Sequence, residues 1–302
     1  MLIPLLTAGV RLATPLIFAA LGGIFSERSG VINIGLEGMM VAGTFGAYLG
    51  ASLTQNVFGG VAGGLLAGAL LGCFFAFLCI RFRADQVVLG TAVNIFALGL
   101  TSFFFRAMYR AGIPATMPSF DRWPIPGLAR IPVLGEIFFD QVPLVYLAYV
   151  LVPLMTWVLF RTTWGLKLRG VGEYPLAAST AGINVFRMRY LAVTLSGAMA
   201  GLGGAFLSIG ELSSYAEGLV SGRGFIALAA VIFGGWHPLR ASLACLLFGT
   251  ADALQLRLQG MGLPIPYEFL LMFPYVLTLV TFVFFAGKAS SPASLGKPYS
   301  EK

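Results

Sequence analysis

Charge is what this chain has least of. Asp, Glu, Lys and Arg make up 10% of the 302 residues, against roughly 25% in ordinary soluble domains. Hydrophobic residues make up 58%, and mean hydropathy is +0.89. So few charges cannot cover a globular surface, and a disordered chain needs the opposite composition. With one histidine and three cysteines, Cys73, Cys79 and Cys245, all inside apolar runs, neither a metal-ligand cluster nor a disulfide framework is indicated. No G-x-x-x-x-G-K-[ST] string occurs; Lys167 and Lys288 lack that context, so no phosphate-binding loop is encoded. The net charge of +7 is scattered between apolar runs rather than gathered on a basic face, which argues against a nucleic-acid partner. Glycine, by contrast, is plentiful at 39 residues, and small residues let membrane helices approach closely. The chain reads as an all-α polytopic membrane protein.

A bilayer core of ~30 Å takes about 20 helical residues. Runs at 4–24, 31–54, 57–80, 86–105, 142–160, 189–210, 239–257 and 267–286 qualify. A shorter run at 222–236 is marginal, either a short span or a re-entrant piece; counting it gives nine crossings, within an expected 8–10. The first run lacks a basic leading region and a clear cleavage site, and is read as a retained span. The loop 161–188 carries Arg161, Lys167, Arg169 and Arg187, with Arg189 at its edge and Glu173 as its only acid, which marks it as cytoplasmic. Working outward, twelve basic residues fall inside and six outside. The expectation is a multi-pass plasma (inner) membrane protein with its N-terminus outside and its C-terminus inside. Residues 1–286 form one transmembrane domain. Its extracytoplasmic segment 106–141, proline-rich, is expected to be functional or to hold some structure of its own, and to lie over the outer mouth. The polar stretch 287–302 reads as a frayed cytoplasmic tail.

Polar residues inside apolar runs carry most of the information, since they normally face a cavity or a partner. The string Glu27–Met40 has glycines at 30, 35 and 38, with Asn33 and Glu37 four apart. This suggests a broken helix entering the membrane, tolerated where it lines protein or a water-filled cavity. The alternative is a cytoplasmic turn followed by an ordinary helix whose Glu37 pairs locally. In the second stretch, Asp85 suits the start of a helix, while Thr91 and the deeper Asn94 serve either as interhelical glue or as substrate contacts. The third runs from Glu211 and Glu217 through Gly218–Phe225 to Gly234-Gly235-Trp236-His237-Pro238. It places a second glycine break in the other half of the chain, with His237 as a turn residue. Asp252, in the penultimate run, is read as structural or pathway-lining.

Within the cytoplasmic loop, Pro175 suits a first helical turn and Gly182 the residue past a helix end. Helices so short are marginal alone, so this one needs a partner or the membrane surface; a structureless connector is the alternative.

The string Phe25–Met40 resembles the signature of ABC-importer permeases of the branched-chain amino acid and simple-sugar superfamily, closest to the nucleoside-uptake branch. Gly90–Asn94, Arg169–Asn184 and Gly222–Gly235 resemble the same branch, in the same order. The resemblance implies a non-enzymatic transport subunit with the all-helical, large-cavity (type II-like) fold and neither catalytic residues nor a metal. It also implies a second related permease, a cytoplasmic ABC ATPase and an extracytoplasmic substrate-binding lipoprotein. No cofactor is bound directly; ATP is used by the ATPase. The stretch containing Glu173, Pro175, Ala177, Ala178, Thr180, Ala181 and Gly182 matches the family's coupling helix, and a bulky charge at Ala178 is expected to uncouple ATP hydrolysis from transport. Asn33, Glu37, Thr91 and Asn94 are expected along the substrate path. Rival readings are a simple-sugar or branched-chain amino acid permease, or a secondary transporter using Glu37 and Asp252 for protons or cations.

Overall fold

A computed structural model describes residues 2–110, 117–261 and 290–300, together with Phe269, Met272, Val276 and Val280. Helix α1 (Leu2–Arg28) is buried at almost every position from Gly9 to Glu27. A helix apolar on all sides belongs at the centre of a bundle, and α1 packs against α9 (Val185–Ala205), α10 (Arg223–Phe233) and α11 (Pro238–Gly260). Around this centre stand α2 (Leu36–Thr54), α3 (Val57–Ala76), α4 (Gln86–Arg110) and α6 (Pro143–Arg161). Helices α3 and α9 each end in a π-helical turn, at Phe77–Arg81 and Phe206–Leu212.

Among the described residues, six helices are long and apolar enough to cross a membrane. The run 31–54 becomes a non-helical segment at 29–35 followed by α2. The marginal run 222–236 contains only the 11 residues of α10. At ~1.5 Å per residue that helix is about 16 Å long, half a bilayer core. Apart from its four described positions, all helical, the run 267–286 lies outside the described residues.

The abundance of glycine has a geometric use. On α3, Gly60, Gly64, Gly68 and Gly72 recur every four residues and are all buried, so they form one stripe. That stripe meets Gly197 and Gly201 of α9, while Gly63 meets Gly46 and Gly50 of α2. A Cβ at Gly43, Gly63, Gly68, Gly197 or Gly201 would come within 3.0 Å of the facing helix's backbone. Three helices therefore pack backbone to backbone, as small-residue seams permit in membranes.

At one end of the bundle, the connection after α4 holds a two-residue antiparallel pairing, β1 (Trp123–Pro124) with β2 (Asp140–Gln141), and a short α5 (Leu134–Phe138). Gln141 donates to the Thr7 carbonyl at 3.3 Å, and the Phe120 amide to the Ile209 carbonyl at 2.9 Å, so the segment sits on the ends of α1 and α9. Residues 111–116 lie outside the described residues.

The opposite end carries α7 (Thr163–Glu173), the six-residue α8 (Pro175–Thr180) and residues 290–300. Pro175 opens α8, and Gly182, at φ +79°, follows its end. The frayed-tail expectation is corrected: residues 290–300 are seated. The Ser294 amide donates to the Gly172 carbonyl and the Gly296 amide to the Gly30 carbonyl, both at 3.0 Å, and the Tyr299 ring packs on Phe186. These bonds run largely through backbone groups, so a polar, proline-containing composition concealed them.

Candidate functional site

The site starts from the break between α1 and α2. Gly30, at φ +92°, turns the chain back after α1; a Cβ there would crowd Arg189 and Ser294. The Ile32 amide then donates to Gln86 Oε1 at 2.7 Å, at the first residue of α4. Farther along, Asn94 accepts from the Gly38 amide at 2.7 Å and donates to the Ile34 carbonyl at 3.1 Å. Asn94 lies eight residues beyond Gln86 along α4, about 12 Å deeper at ~1.5 Å per residue. The segment 31–35 therefore enters the bundle beside α4, and α2 begins at depth. Of the two readings of Glu27–Met40, the structure shows the broken helix.

Asn33 and Glu37 complete the hold on this segment. Asn33, fully buried, donates to Ser196 Oγ at 2.9 Å and to the Met39 sulfur at 3.4 Å. Glu37 accepts from the Gly222 amide at 2.8 Å and the Gly224 amide at 2.7 Å. Those amides open α10, where unsatisfied N–H groups and the helix dipole favour an anion. Gly224 is required here, since a Cβ would lie 2.5 Å from the Glu37 backbone. The partner of Glu37 is thus 185 residues away rather than local.

The same string holds the other end of the half-helix. The Trp236 indole donates to the Glu27 carboxylate, and Arg28 donates to the carbonyls of Trp236 and Gly235 at 3.2 and 3.3 Å. Two carboxylates from one short stretch thus fix both ends of α10. His237 is a turn residue, stacked on Phe160 at 4.8 Å. Burial, then Arg240 and Arg28, hold its imidazole below the ordinary range.

Of the four path residues read from sequence, Asn33, Glu37 and Asn94 converge on this buried junction. Thr91 does not: it is exposed, its hydroxyl bonded to the Val87 carbonyl of its own helix. It belongs to an open face of α4 that includes Val88, Ile95 and Phe103, each 67% exposed. Toward the helix end the same face carries Gly99, Ser102, Phe103 and Arg106. There Arg106 grips Glu217 with two bonds, at 2.8 and 2.9 Å, tying α4 to the segment that leads into α10. Asp85 caps α4, accepting from the amides of Val87 and Val88. Asp252 is half-buried on α11. Sequence reasoning missed Ser196 and Trp236 as partners; the glycine break at 218–224 was the only signal for the α10 amides.

In the coupling stretch, Glu173, Ala177, Thr180, Ala181 and Gly182 are exposed and Pro175 is half-buried. Tyr174 and Leu176 stand 64% and 51% exposed, whereas Ala178 is 6% exposed and faces the protein. A charge at Ala178 therefore tests packing first; Leu176 is the outward position.

Comparison with known proteins places this architecture. A family model described as the permease component of branched-chain amino acid transport systems matches residues 5–283. The chain belongs to this permease family. The permease is 42% identical over 299 residues to the guanosine ABC transporter permease protein NupQ of Bacillus subtilis, covering 95% of this chain and 93% of that one. It is 41% identical over 298 residues, with the same coverage, to the nucleoside ABC transporter permease protein NupC of Lactococcus lactis. A relative from Haloferax volcanii named for glucose, TsgC13, is 40% identical over 263 residues, covering 86% of this chain and 79% of its own. B. subtilis also has the guanosine permease protein NupP, 26% identical to this permease over 248 residues, 80% of this chain and 70% of that one. Among solved structures, one described as an inward-facing, metal-chelate type ABC transporter aligns with a TM-score of 0.50 at 15% identity, covering 93% of this chain and 85% of that one. That likeness concerns the fold alone. The permease is therefore an all-α, multi-pass membrane subunit of the ABC-transporter kind.

Proposed function

We propose that this permease is one membrane half of an ATP-driven importer of nucleosides. The observation that carries the substrate class is the near full-length similarity, above 40%, to two permeases named for guanosine and nucleosides. NupQ and NupP occur in one organism, and this chain is far closer to NupQ. That supports pairing with a second, NupP-like permease rather than with a copy of itself. The remaining partners are a cytoplasmic ABC ATPase, which uses the ATP, and an extracytoplasmic substrate-binding lipoprotein. The subunit sits in the plasma membrane with its N-terminus outside and α8 and residues 290–300 inside.

In this reading the nucleoside passes along the open α4 face that carries Thr91, inside the large cavity between the two permeases. Asn33, Glu37 and Asn94 act from behind it, by setting where the broken helix and α10 sit. Helix α8 delivers the ATPase's movement. It is short, water-facing and apolar at Leu176, as a helix made to be covered would be. The Glu37 geometry also weighs against a proton- or cation-driven mechanism, since two backbone amides already occupy that carboxylate.

Leu176→Glu tests the coupling role. Loss of an interface anchor costs about 1–2 kcal/mol, roughly tenfold in affinity. Nucleoside uptake is expected to fall by about that factor while the variant reaches the membrane at the normal level. Unchanged uptake and unchanged ATPase association would remove α8 from the coupling path.

A further inference from the structure

The seated C-terminal segment forms a surface continuous with α8. Residues 290–300 are anchored on their inner side: besides the bonds from Ser294 and Gly296, the Ala293 amide donates to Glu173 at 3.2 Å and Arg189 to the Lys297 carbonyl at 3.1 Å. Arg189 is itself buried and also donates to the Ser29 carbonyl at 3.1 Å. With Ser294 and Tyr299 turned inward, Lys297 and Pro298 remain exposed. They stand across a groove of about 360 Å³ from Tyr174 and Leu176, at the start of α8.

This groove differs from the other apolar exposure on the molecule. Exposed leucines and phenylalanines on α3 lie along a membrane span, where lipid covers them, and those on α4 share the helix whose open face is read as the substrate path. Tyr174 and Leu176 lie beyond the ends of α6 and α9, at the water-facing end, where apolar side chains gain by being covered by protein. One rim of the groove is the coupling helix; the other is the tail, held rigidly enough to present a fixed shape.

We propose that residues 293–300 are a second docking element for the cytoplasmic ATPase, so that its contact surface is α8 and the C-terminal segment together. This rests on the reading that α8 meets that ATPase. The partner is a folded protein with an apolar contact for Tyr174 and Leu176 and an acceptor for Lys297.

The test is site-specific photo-crosslinking in the assembled transporter, with p-benzoylphenylalanine replacing Leu176, Lys297, Pro298 or, at the opposite end of the molecule, the exposed Arg130. Irradiation is expected to give a band shifted by the mass of the ATPase subunit from positions 176, 297 and 298, and none from 130. Mass spectrometry must identify the crosslinked peptide as the ATPase's. Crosslinks from 176 alone would overturn the tail's role and leave the α8 reading standing. Crosslinks from 297 and 298 without 176 would keep the tail contact and remove α8. Products with lipid, or none at all, from 297 and 298 would overturn the inference.

Discussion

Glu37→Ala is expected to be the most damaging single substitution of a polar residue in this permease. The carboxylate accepts two amides at the start of α10, at 2.8 and 2.7 Å, and is 7% exposed. A hydrogen bond to a charged group contributes about 1.5–3 kcal/mol, and leaving buried donors unpaired adds to the loss. A cost of roughly 3 kcal/mol or more follows, well beyond the 0.5–2 kcal/mol of an ordinary helix cap. Glu37→Gln keeps one acceptor oxygen but turns an NH₂ toward the second amide, so it should fall between alanine and wild type. The thermal unfolding midpoint in detergent and nucleoside uptake should both follow the order Glu, Gln, Ala. If alanine matched wild type in both, the carboxylate would not be what holds the half-helix.

Loss of the fold itself is expected from Gly68→Leu or Gly201→Leu. A Cβ at either position would come within 3.0 Å of backbone on the opposite helix, and backbone cannot move aside as a flexible side chain can. Overpacking typically costs about 1–3 kcal/mol where neighbours can adjust; where two backbones touch, the helices must part along the seam. Both variants should fail to accumulate as a monodisperse protein on size-exclusion chromatography. Gly99→Leu is the matched control. Nothing lies within 4 Å of its added Cβ, so it should fold normally, and any effect should fall on transport along the α4 face. A folded, active Gly68→Leu variant would contradict the backbone-to-backbone packing.

The contrast between these sites shows what could be read in advance. Span positions follow from hydropathy and length, because lipid demands about 20 apolar residues whatever the fold. The break at Glu27–Met40 was legible because its charges cannot continue a lipid-facing helix and its glycines allow the chain to turn there. The destination of Glu37 was not legible: its partners are backbone amides, which every residue but proline carries, and they lie 185 residues along the chain. The run 222–236 was legible as too short for an ordinary span, but its two alternatives, a short span or a re-entrant piece, look the same locally in the 11 residues of α10. The glycine content announced close packing, yet which glycines face which depends on how α2, α3 and α9 are arranged. Asn94 left two roles open in the sequence; its bonds to the Gly38 amide and the Ile34 carbonyl tie α4 to the broken segment and the start of α2. Thr91, the least conspicuous of the four, is the one on the open face.

Driving force and substrate are the centre of the functional reading, and one uptake experiment addresses both. Labelled guanosine, adenosine and uridine would be offered to cells with and without this gene, each with excess ribose, glucose or leucine, under ATP depletion and under an uncoupler that leaves ATP high. Nucleoside import through this permease predicts gene-dependent uptake that collapses with ATP, survives the uncoupler and ignores sugar and leucine. Uptake that sugar or leucine abolishes would contradict the nucleoside assignment. Uptake that follows the proton gradient while ATP stays high would contradict the ATP-driven importer itself.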